Sequence, residues 1–213
     1  MTQGTMTILI TIGPTQEPLD SMRLISNSST GDLGTRIALS MAEAGHRVIA
    51  LRGTGSTAEP AELTRRCARV IPFTSTEDLR SCLEKLSKEE QVDAVFHAAA
   101  VSDFYLPGAG TGKIPTKQGS LTLTLEPTPK LLPHMREWFP SAVITGWKFE
   151  AAGAKESALL TASSQMESCR TDACVVNGPS YGEGFGVLGK NGELTHLADR
   201  EALCVFLAGN VIR

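Results

Sequence analysis

A polar segment near the N-terminus carries the residues best suited to chemistry. It spans residues 23–34, reads RLISNSSTGDLG, and combines Arg23 and Asn27 with hydroxyl side chains and two glycines. It lies between an apolar strand pattern that ends at Gly13 and a helical pattern that begins near Asp32. Backbone N–H groups at a helix start, together with Ser and Thr hydroxyls, bind phosphate well, and an Arg adds a charge-assisted hydrogen bond. The pattern favours an anion site over the alternative, a capped helix preceded by a polar loop.

A second group of candidate residues follows the fourth apolar strand pattern, in the stretch HAAAVSDFYLPGAGTGKIPTK. Three small residues end that pattern: Ala98, Ala99 and Ala100. Their size would let a flat ring approach the backbone closely. Asp103 then comes at the carboxyl edge of the sheet, where its carboxylate could hold Mg²⁺ or a hydroxyl group. Lys113 lies on a loop rich in Gly and Pro, from which it could reach a bound phosphate; the alternative is a surface lysine on an irregular loop.

The composition excludes several classes of function. The chain has 213 residues and a formal net charge of -3, which argues against a broad surface for nucleic acid or an anionic membrane. No apolar run approaches the roughly 18 residues needed to span a bilayer, and the first residues lack the basic segment and cleavage site of a secretory signal. We therefore expect a cytoplasmic protein that binds neither nucleic acid nor membrane.

The five cysteines predict reduced thiols. Their number is odd, no CxxC pair occurs, and the closest two, Cys169 and Cys174, lack the spacing and histidine partners of a zinc site. His97 lies inside an apolar pattern, so we expect it to be a core imidazole rather than a metal ligand.

Apolar strand patterns alternate with helical patterns along the chain, which is typical of a parallel sheet covered on both faces. We predict a single α/β domain over residues 1–213. It is Rossmann-like and doubly wound, with a mostly parallel sheet, helices on both faces and an added β-hairpin at residues 184–198 that turns at KNGE. Residues 121–125, LTLTL, alternate with period two and predict a further strand. In such a fold the ligand site lies at the carboxyl ends of the strands.

Two helical patterns have clear ends. The first, DLGTRIALSMAEAG, should stop at Gly45, because glycine readily adopts the left-handed conformation that closes a helix. The amphipathic pattern of residues 75–90 has Ser75 or Thr76 as its N-cap. These ends define where the adjoining loops begin.

The glycine spacing departs from that of a dinucleotide-binding protein. The usual fingerprint places GxGxxG directly after the first strand. Here the strand ends at Gly13, and the next pair, Gly31 and Gly34, comes too late for a tight turn. The chain also has no YxxxK pair. An NAD(P)-dependent oxidoreductase is therefore the weaker alternative.

Six motifs together resemble the phosphopantothenoylcysteine synthetase domain of the DNA/pantothenate metabolism flavoprotein family. In chain order they are GPTQEPLDSMRLISNSSTGDLG, AAAVSDF, KIPTK, TPKLL, GWKFEA and DACVVN. The resemblance implies a ligase that joins 4'-phosphopantothenate to cysteine in coenzyme A biosynthesis. CTP or ATP would first activate the carboxylate as an acyl-nucleotide, and the amine of cysteine would then displace the nucleoside monophosphate.

The resemblance also implies roles for individual residues. It implies that phosphopantothenate and its acyl intermediate are bound by Arg23, Asn27, Ser28, Ser29, Thr30 and Gly31. It implies that the nucleotide is bound by Gly13, Ala98, Ala99, Ala100, Asp103, Lys113, Pro129, Lys130, Leu131, Leu132 and Trp147. In this scheme Lys113 and Asn27 are catalytic, and Lys113 stabilises charge during nucleotidyl transfer. Asp103 is a possible Mg²⁺ ligand, and the indole of Trp147 would stack on the base.

The chain departs from the family pattern in its cations. Asp32 stands where the motif has a lysine, and the helix before DACVVN offers only Lys155 or Arg170 for two expected lysines. Lys130 and Lys148 are additional. Either the phosphate-binding cations have been relocated to other positions, or the nucleotide preference has changed. A catalytically altered relative that binds a nucleotide or a pantothenate derivative is thus a second hypothesis.

The resemblance has consequences for partners. The family is usually joined to a flavin-dependent decarboxylase, for which 213 residues leave no room. We therefore expect no flavin, and a decarboxylase as a separate protein. Members of the family are commonly dimers, and residues 121–125 would be a plausible pairing edge, so we expect a homodimer.

Overall fold

The computed structural model describes residues 4–110, 112–116 and 119–211. Its strands are β1 Thr7–Ile12, β2 Gln16–Pro18, β3 Leu24–Ser26, β4 Arg47–Gly53, β5 Arg69–Phe73, β6 Ala94–His97, β7 Phe104–Tyr105, β8 Glu126–Pro127, β9 Val143–Phe149, β10 Ala173–Asn177, β11 Phe185–Gly189 and β12 Leu194–Leu197. Its helices are α1 Asp32–Glu43, α2 Ala61–Arg66, α3 Thr76–Glu89, α4 Met135–Trp138, α5 Lys155–Cys169 and α6 Arg200–Gly209, with a 3-10 turn at Leu132–His134 before α4.

Eight strands form one central sheet in the order β12-β11-β10-β9-β6-β1-β4-β5. The six strands from β10 to β5 are parallel to one another, whereas β11 and β12 form a hairpin that pairs antiparallel with β10 at one edge. The chain starts at β1, builds outward through β4 and β5, and returns to β6 on the other side of β1. The predicted doubly wound fold and the hairpin at KNGE are confirmed, and the switch point lies between β1 and β6.

Helices cover both faces of the sheet. On one face, α1, α2 and α6 pack against side chains such as Ile8, Ile10 and Val48. On the other, α3 and α4 pack against Leu9 and Ile49, and α5 packs against β10 in a smaller cluster. The strands are buried from both sides, which explains their continuous apolar sequences.

The predicted helix ends are confirmed. Gly45, at a φ of 89°, follows α1, and its amide donates to the carbonyl of Ala42 at 3.1 Å. Ser75 caps α3, because its side chain accepts a hydrogen bond from the amide of Asp78. The buried carboxylate of Glu17 also accepts from the amide of Thr76 at 2.8 Å, so β2 and α3 are tied together at this end.

The predicted strand at residues 121–125 is wrong. Among the described residues this stretch pairs with no strand, and only the following Glu126–Pro127 pairs with Phe104–Tyr105. Its alternation buries no apolar face, since Leu121 is 53% exposed. An alternating sequence forms a strand only where a partner edge is available. The apolar stretch around β6 is also shorter as a strand than its sequence suggests, because regular pairing ends at His97.

The five cysteines are free, and four of them are buried. Burial raises the pKa of the Cys67 and Cys204 thiols to about 11, so these side chains stay protonated at neutral pH. Within the part of the chain that the structure describes, no helix has the length and apolar character needed to cross a bilayer.

Candidate active site

A cavity of about 760 Å³ opens at the carboxyl edge of the sheet, beside the switch point. It is lined by residues 27–34, by residues 98–100, and by Asp103, Trp147, Phe149, Asn177, Phe185 and Arg200. These residues follow β3 and begin α1, follow β6, or lie on β9, β10, β11 and α6. The site therefore lies where ligands bind in open α/β sheets, as the sequence predicts.

The polar loop of residues 27–34 is held by contacts at both ends. The side-chain amide of Asn27 donates to the carbonyl of Val101 at 3.0 Å, which ties this loop to the segment after β6. The carbonyl of Thr30 accepts from the amides of Thr57 and Ala58, each at 3.1 Å. Gly31 has a φ of 76°, and a Cβ there would lie only 2.7 Å from the hydroxyl of Ser56, so this close approach requires glycine.

The first turn of α1 faces the cavity. Gly31 is the N-cap residue, and among the described residues no side chain caps this helix. The hydroxyls of Ser29 and Thr30 instead accept from the amides of Gly31 and Asp32, at 3.4 and 3.3 Å. A helix start left open in this way carries partial positive charge and exposed N–H donors, which suit an anionic group.

The three alanines after β6 form a close-packed wall. The amide of Ala100 donates to the carbonyl of Gly13 at 2.9 Å, and the amide of Ala99 donates to the hydroxyl of Thr11 at 3.1 Å. These two amides are engaged inside the protein, so the alanines offer a flat apolar surface to a ligand more than they offer donors. Gly13 itself does not line the cavity but supports this wall.

Aromatic residues also line the cavity. Trp147 is half-buried, and its indole N–H is buried and has no hydrogen-bond partner among the described residues. Phe149, two residues further along β9, is 63% exposed. A planar base that contacted these rings would bury apolar surface.

Asp103 reaches the rim of the cavity and forms an ion pair with Lys130. The carbonyl of Asp103 accepts from the amide of Thr128 at 3.0 Å, so the TPKLL segment is fixed beside the segment after β6. Within that segment Leu131 is buried in the core, and Leu132 lies next to Gly146. Pro129, Lys130, Leu131 and Leu132 are not among the residues that line the cavity.

Arg23 and Lys113 lie elsewhere on the surface of the same chain. The buried carboxylate of Asp20 pairs with the guanidinium of Arg23 and accepts from the amide of Ile114 at 3.0 Å. That amide contact is the main reason why the pKa of Asp20 falls to about 2. Arg23 and the loop of Lys113 are thus brought together, but neither lines the cavity of their own chain. Lys117 of the KIPTK motif lies outside the described residues.

Several lining residues are not among those the sequence singled out. Asn177 ends a predicted parallel strand, a position from which it could have been inferred. Phe149 and Phe185 give no local signal. Arg200 comes after the antiparallel hairpin, and its guanidinium lies 3.4 Å from the carboxylate of Asp32, to which Arg36 also binds, at 2.9 Å.

No group of three or more His, Cys, Asp or Glu side chains comes together as a metal site within the described ranges. Asp103 is therefore not part of such a group. Mg²⁺ in nucleotide sites is commonly held by one or two carboxylates together with substrate phosphates, so Asp103 fits an ion that arrives with a nucleotide rather than a resident one.

The fold and the cavity define a doubly wound α/β protein with an anion-suited helix start and an aromatic wall at its switch point. Residues 3–203 match the family described as the DNA/pantothenate metabolism flavoprotein C-terminal domain. The chain belongs to this family, which confirms the resemblance found in its motifs.

Relatives and solved structures agree with this assignment. The chain is 32% identical over 170 residues to the coenzyme A biosynthesis bifunctional protein CoaBC of Thermococcus kodakarensis, which covers 80% of this chain and 40% of the relative. It is 31% identical over 180 residues to the Bacillus subtilis protein of the same name. This match covers 84% of this chain and 42% of the relative. The chain thus spans about two fifths of the length of these relatives.

The solved DNA/pantothenate metabolism flavoprotein of Streptococcus pneumoniae superposes with a TM-score of 0.83 at 23% identity, over 97% of this chain and 98% of the other. A variant of Cab2 was solved in complex with phosphopantothenate-cysteine. It superposes with a TM-score of 0.75 at 20% identity, over 95% of this chain and 85% of the Cab2 chain. At these identities the superpositions establish the fold.

Proposed function

We propose that the protein joins 4'-phosphopantothenate to cysteine through an acyl-nucleotide intermediate, a step of coenzyme A biosynthesis. The observation that carries the proposal is the convergence of the 27–34 loop, the three alanines and Trp147 on one cavity of about 760 Å³. A cavity of this size is in the range that holds drug-sized ligands. The names of the relatives, and the product bound in the Cab2 structure, point to the same reaction.

The proposed reaction has two steps in this cavity. A carboxylate oxygen of phosphopantothenate attacks the α-phosphorus of CTP or ATP, and pyrophosphate leaves. The amine nitrogen of cysteine then attacks the acyl carbon, the bond to the nucleoside monophosphate breaks, and the amine gives up a proton. Asn27 and the start of α1 would hold the acyl part, while the alanine wall and Trp147 would hold the base.

Negative charge that develops during the first step needs a cation. Mg²⁺ bound between Asp103 and the nucleotide phosphates would supply part of this stabilisation. Lys130 lies beside Asp103 in an ion pair, so metal binding would require this lysine to move aside or to contact the phosphates itself. Lys113 is proposed as the second cation.

We propose that Lys113 and Arg23 act on the cavity of a partner subunit in a homodimer. Neither lines the cavity of its own chain, yet both lie on a surface with exposed apolar side chains. The two side chains that flank Arg23 in the sequence are apolar and exposed, Met22 by 71% and Leu24 by 52%. Exposed apolar residues that lie together mark an interaction site, and a second copy would cover them.

A catalytically altered relative is the second candidate function. Two carboxylates, Asp32 and Asp103, line the cavity together with one guanidinium, a balance less favourable to polyphosphates than the lysine-rich family motif. Such a protein would bind one ligand without turnover.

Pyrophosphate release separates these functions. The ligase requires release that depends on both phosphopantothenate and a nucleotide, with CTP, ATP and UTP tested in parallel. A protein that binds a single ligand, which raises its melting temperature, but releases no pyrophosphate under these conditions would be the altered relative. For the active enzyme, the cytoplasm is the proposed location and a decarboxylase the expected consumer of the product.

A further inference from the structure

Arg200 is the one cationic residue among the described residues that line the cavity. It occupies the first position of α6, and its guanidinium lies 3.4 Å from the carboxylate of Asp32 in the first turn of α1. We propose that Arg200, positioned by Asp32, binds a phosphoryl group of the ligand in this cavity and fixes which phosphorylated substrate enters it. The inference rests on the proposed function, because it assumes that phosphorylated substrates occupy the cavity.

The contacts leave Arg200 available for a ligand. Both carboxylate oxygens of Asp32 already accept from Arg36, at 3.0 and 2.9 Å, whereas Arg200 makes a single longer contact and its side chain is 64% exposed. A guanidinium has five N–H donors in a planar fork that matches a phosphate. Most of these donors remain free, so phosphate binding would cost Arg200 little.

The charge balance supports the same role. Asp32 alone would repel a phosphate at the start of α1. With Arg36 and Arg200 beside it, the three side chains carry a net charge of about +1. Asp32 therefore serves to hold two cations near the helix start, and the cavity remains attractive to an anion.

The packing of the two helices fixes this arrangement. α1 lies against α6, and the hydroxyl of Ser40 donates to the carbonyl of Cys204 at 3.3 Å. The first turn of α6 is held beside the first turn of α1. A cation supplied from α6 thereby takes the place of the lysine that the family motif has at position 32.

The test measures affinity with Arg200→Gln. Titrations of phosphopantothenate, CTP and ATP would each be compared with unphosphorylated pantothenate. We expect the variant to lose at least about tenfold in affinity for the one ligand whose phosphate Arg200 contacts, the size expected for a charge-assisted hydrogen bond, with no change for pantothenate. Whichever ligand loses affinity identifies the phosphate. Arg80→Gln, which removes an exposed ion-paired arginine from α3, is the matched control.

A second pair of variants tests the positioning role of Asp32. In an Asp32→Asn background, Arg200→Gln should cost less affinity than it costs in the wild type, because the two side chains act together. Asp32→Lys combined with Arg200→Gln should restore much of the lost affinity by supplying the cation from α1. If the losses of affinity in the two single variants simply add in the double variant, or if Asp32→Lys restores no affinity, the positioning role of Asp32 is wrong. Thermal melts confirm that each variant folds.

The outcomes also separate this inference from the proposed function. If the wild type releases pyrophosphate and Arg200→Gln keeps every affinity within about twofold, the inference is wrong and the ligase proposal stands. If Arg200→Gln weakens phosphate binding but no protein forms product, the phosphate site stands and the ligase proposal is wrong. A wild type that binds none of the ligands would overturn both.

Discussion

At the scale of single residues, His97 shows how burial sets chemistry. Its sequence context predicts a core imidazole, and the structure buries it with Nδ1 2.9 Å from the hydroxyl of Thr11. Burial lowers the pKa of His97 to about 4, since the charged imidazolium would lose its hydration. The same hydroxyl of Thr11 accepts from the amide of Ala99, so a neutral His97 helps to hold the alanine wall.

This pKa predicts a pH dependence of stability. The unfolded imidazole binds a proton near pH 6.5 and the folded one only near pH 4. Between these values the unfolded state holds more protons, so the free energy of unfolding falls as the pH falls through this window, by on the order of 3 kcal/mol. Urea melts of the wild type and of His97→Gln from pH 7 to pH 4 measure it.

We expect His97→Gln to lose this part of the pH dependence. His134→Gln, at an exposed position, should keep it and serves as the control. Equal slopes for the wild type and His97→Gln would show that His97 does not cause the effect.

Asn27→Asp tests the role of the polar loop. The change replaces the donor to Val101 by a carboxylate and adds a negative charge beside the start of α1. We expect the KM for phosphopantothenate to rise by about tenfold or more through repulsion, with little change in melting temperature. Steady-state kinetics measures it, and Asn191→Asp, in the turn between β11 and β12, adds the same charge as a control. An unchanged KM would remove Asn27 from the site.

The position of a lining residue could be predicted where the residue follows a strand of the central sheet. Ala98 and Asp103 line the cavity because they come after β6, and the carboxyl ends of parallel strands meet at one edge of the sheet. The pairing of Asp32 with Arg200 could not be predicted, since it joins residues that are 168 positions apart. Their distance depends on how α6 packs against α1.

At the scale of secondary structure elements, the helix ends follow local rules. Ser75 caps α3 through the amide of Asp78 at 3.2 Å, and the cap holds the helix that covers β4 and β5 on one face. The short β2–β3 hairpin could not be predicted, because three-residue strands have too few positions to show a period. This hairpin carries Arg23 away from the cavity, which sequence order alone did not reveal.

We expect Ser75→Ala to lower the free energy of unfolding by about 1 kcal/mol, since it leaves a helix N–H donor without its partner. Chemical denaturation measures the change. Ser81→Ala, at an exposed position inside the same helix, lacks this cost because alanine is a good helix former there. Equal stabilities for the two variants would mean that the cap contributes nothing.

At the scale of the whole molecule, the alternation of patterns was enough to predict the doubly wound sheet. The placement of residues 121–125 was not predictable in the same way, because a strand needs a partner edge and the part of the chain that the structure describes provides none for them. Leu121 and Leu125 are exposed, and so are Met22 and Leu24 beside Arg23. If a second copy covers the surface around Arg23, each active site contains residues from two subunits.

Subunit complementation tests this arrangement. Lys113→Ala and Asn27→Asp should each fold, and each should lose most activity when it is assayed at a phosphopantothenate concentration below the wild-type KM. If Lys113 acts on the partner's cavity, mixed dimers contain one intact site, and an equal mixture should recover about one quarter of wild-type activity. The activity of the mixture is measured after the subunits have exchanged, and each variant alone is the control. No recovery in a mixture that forms mixed dimers would mean that Lys113 serves its own chain or no site.

The most direct measurement is a crystal structure with phosphopantothenate and a nucleotide bound together. The account predicts both molecules in the cavity beside the switch point, with a phosphoryl group near the start of α1 and the base between the alanine wall and Trp147. Density for either molecule at another surface, with this cavity empty, would contradict it.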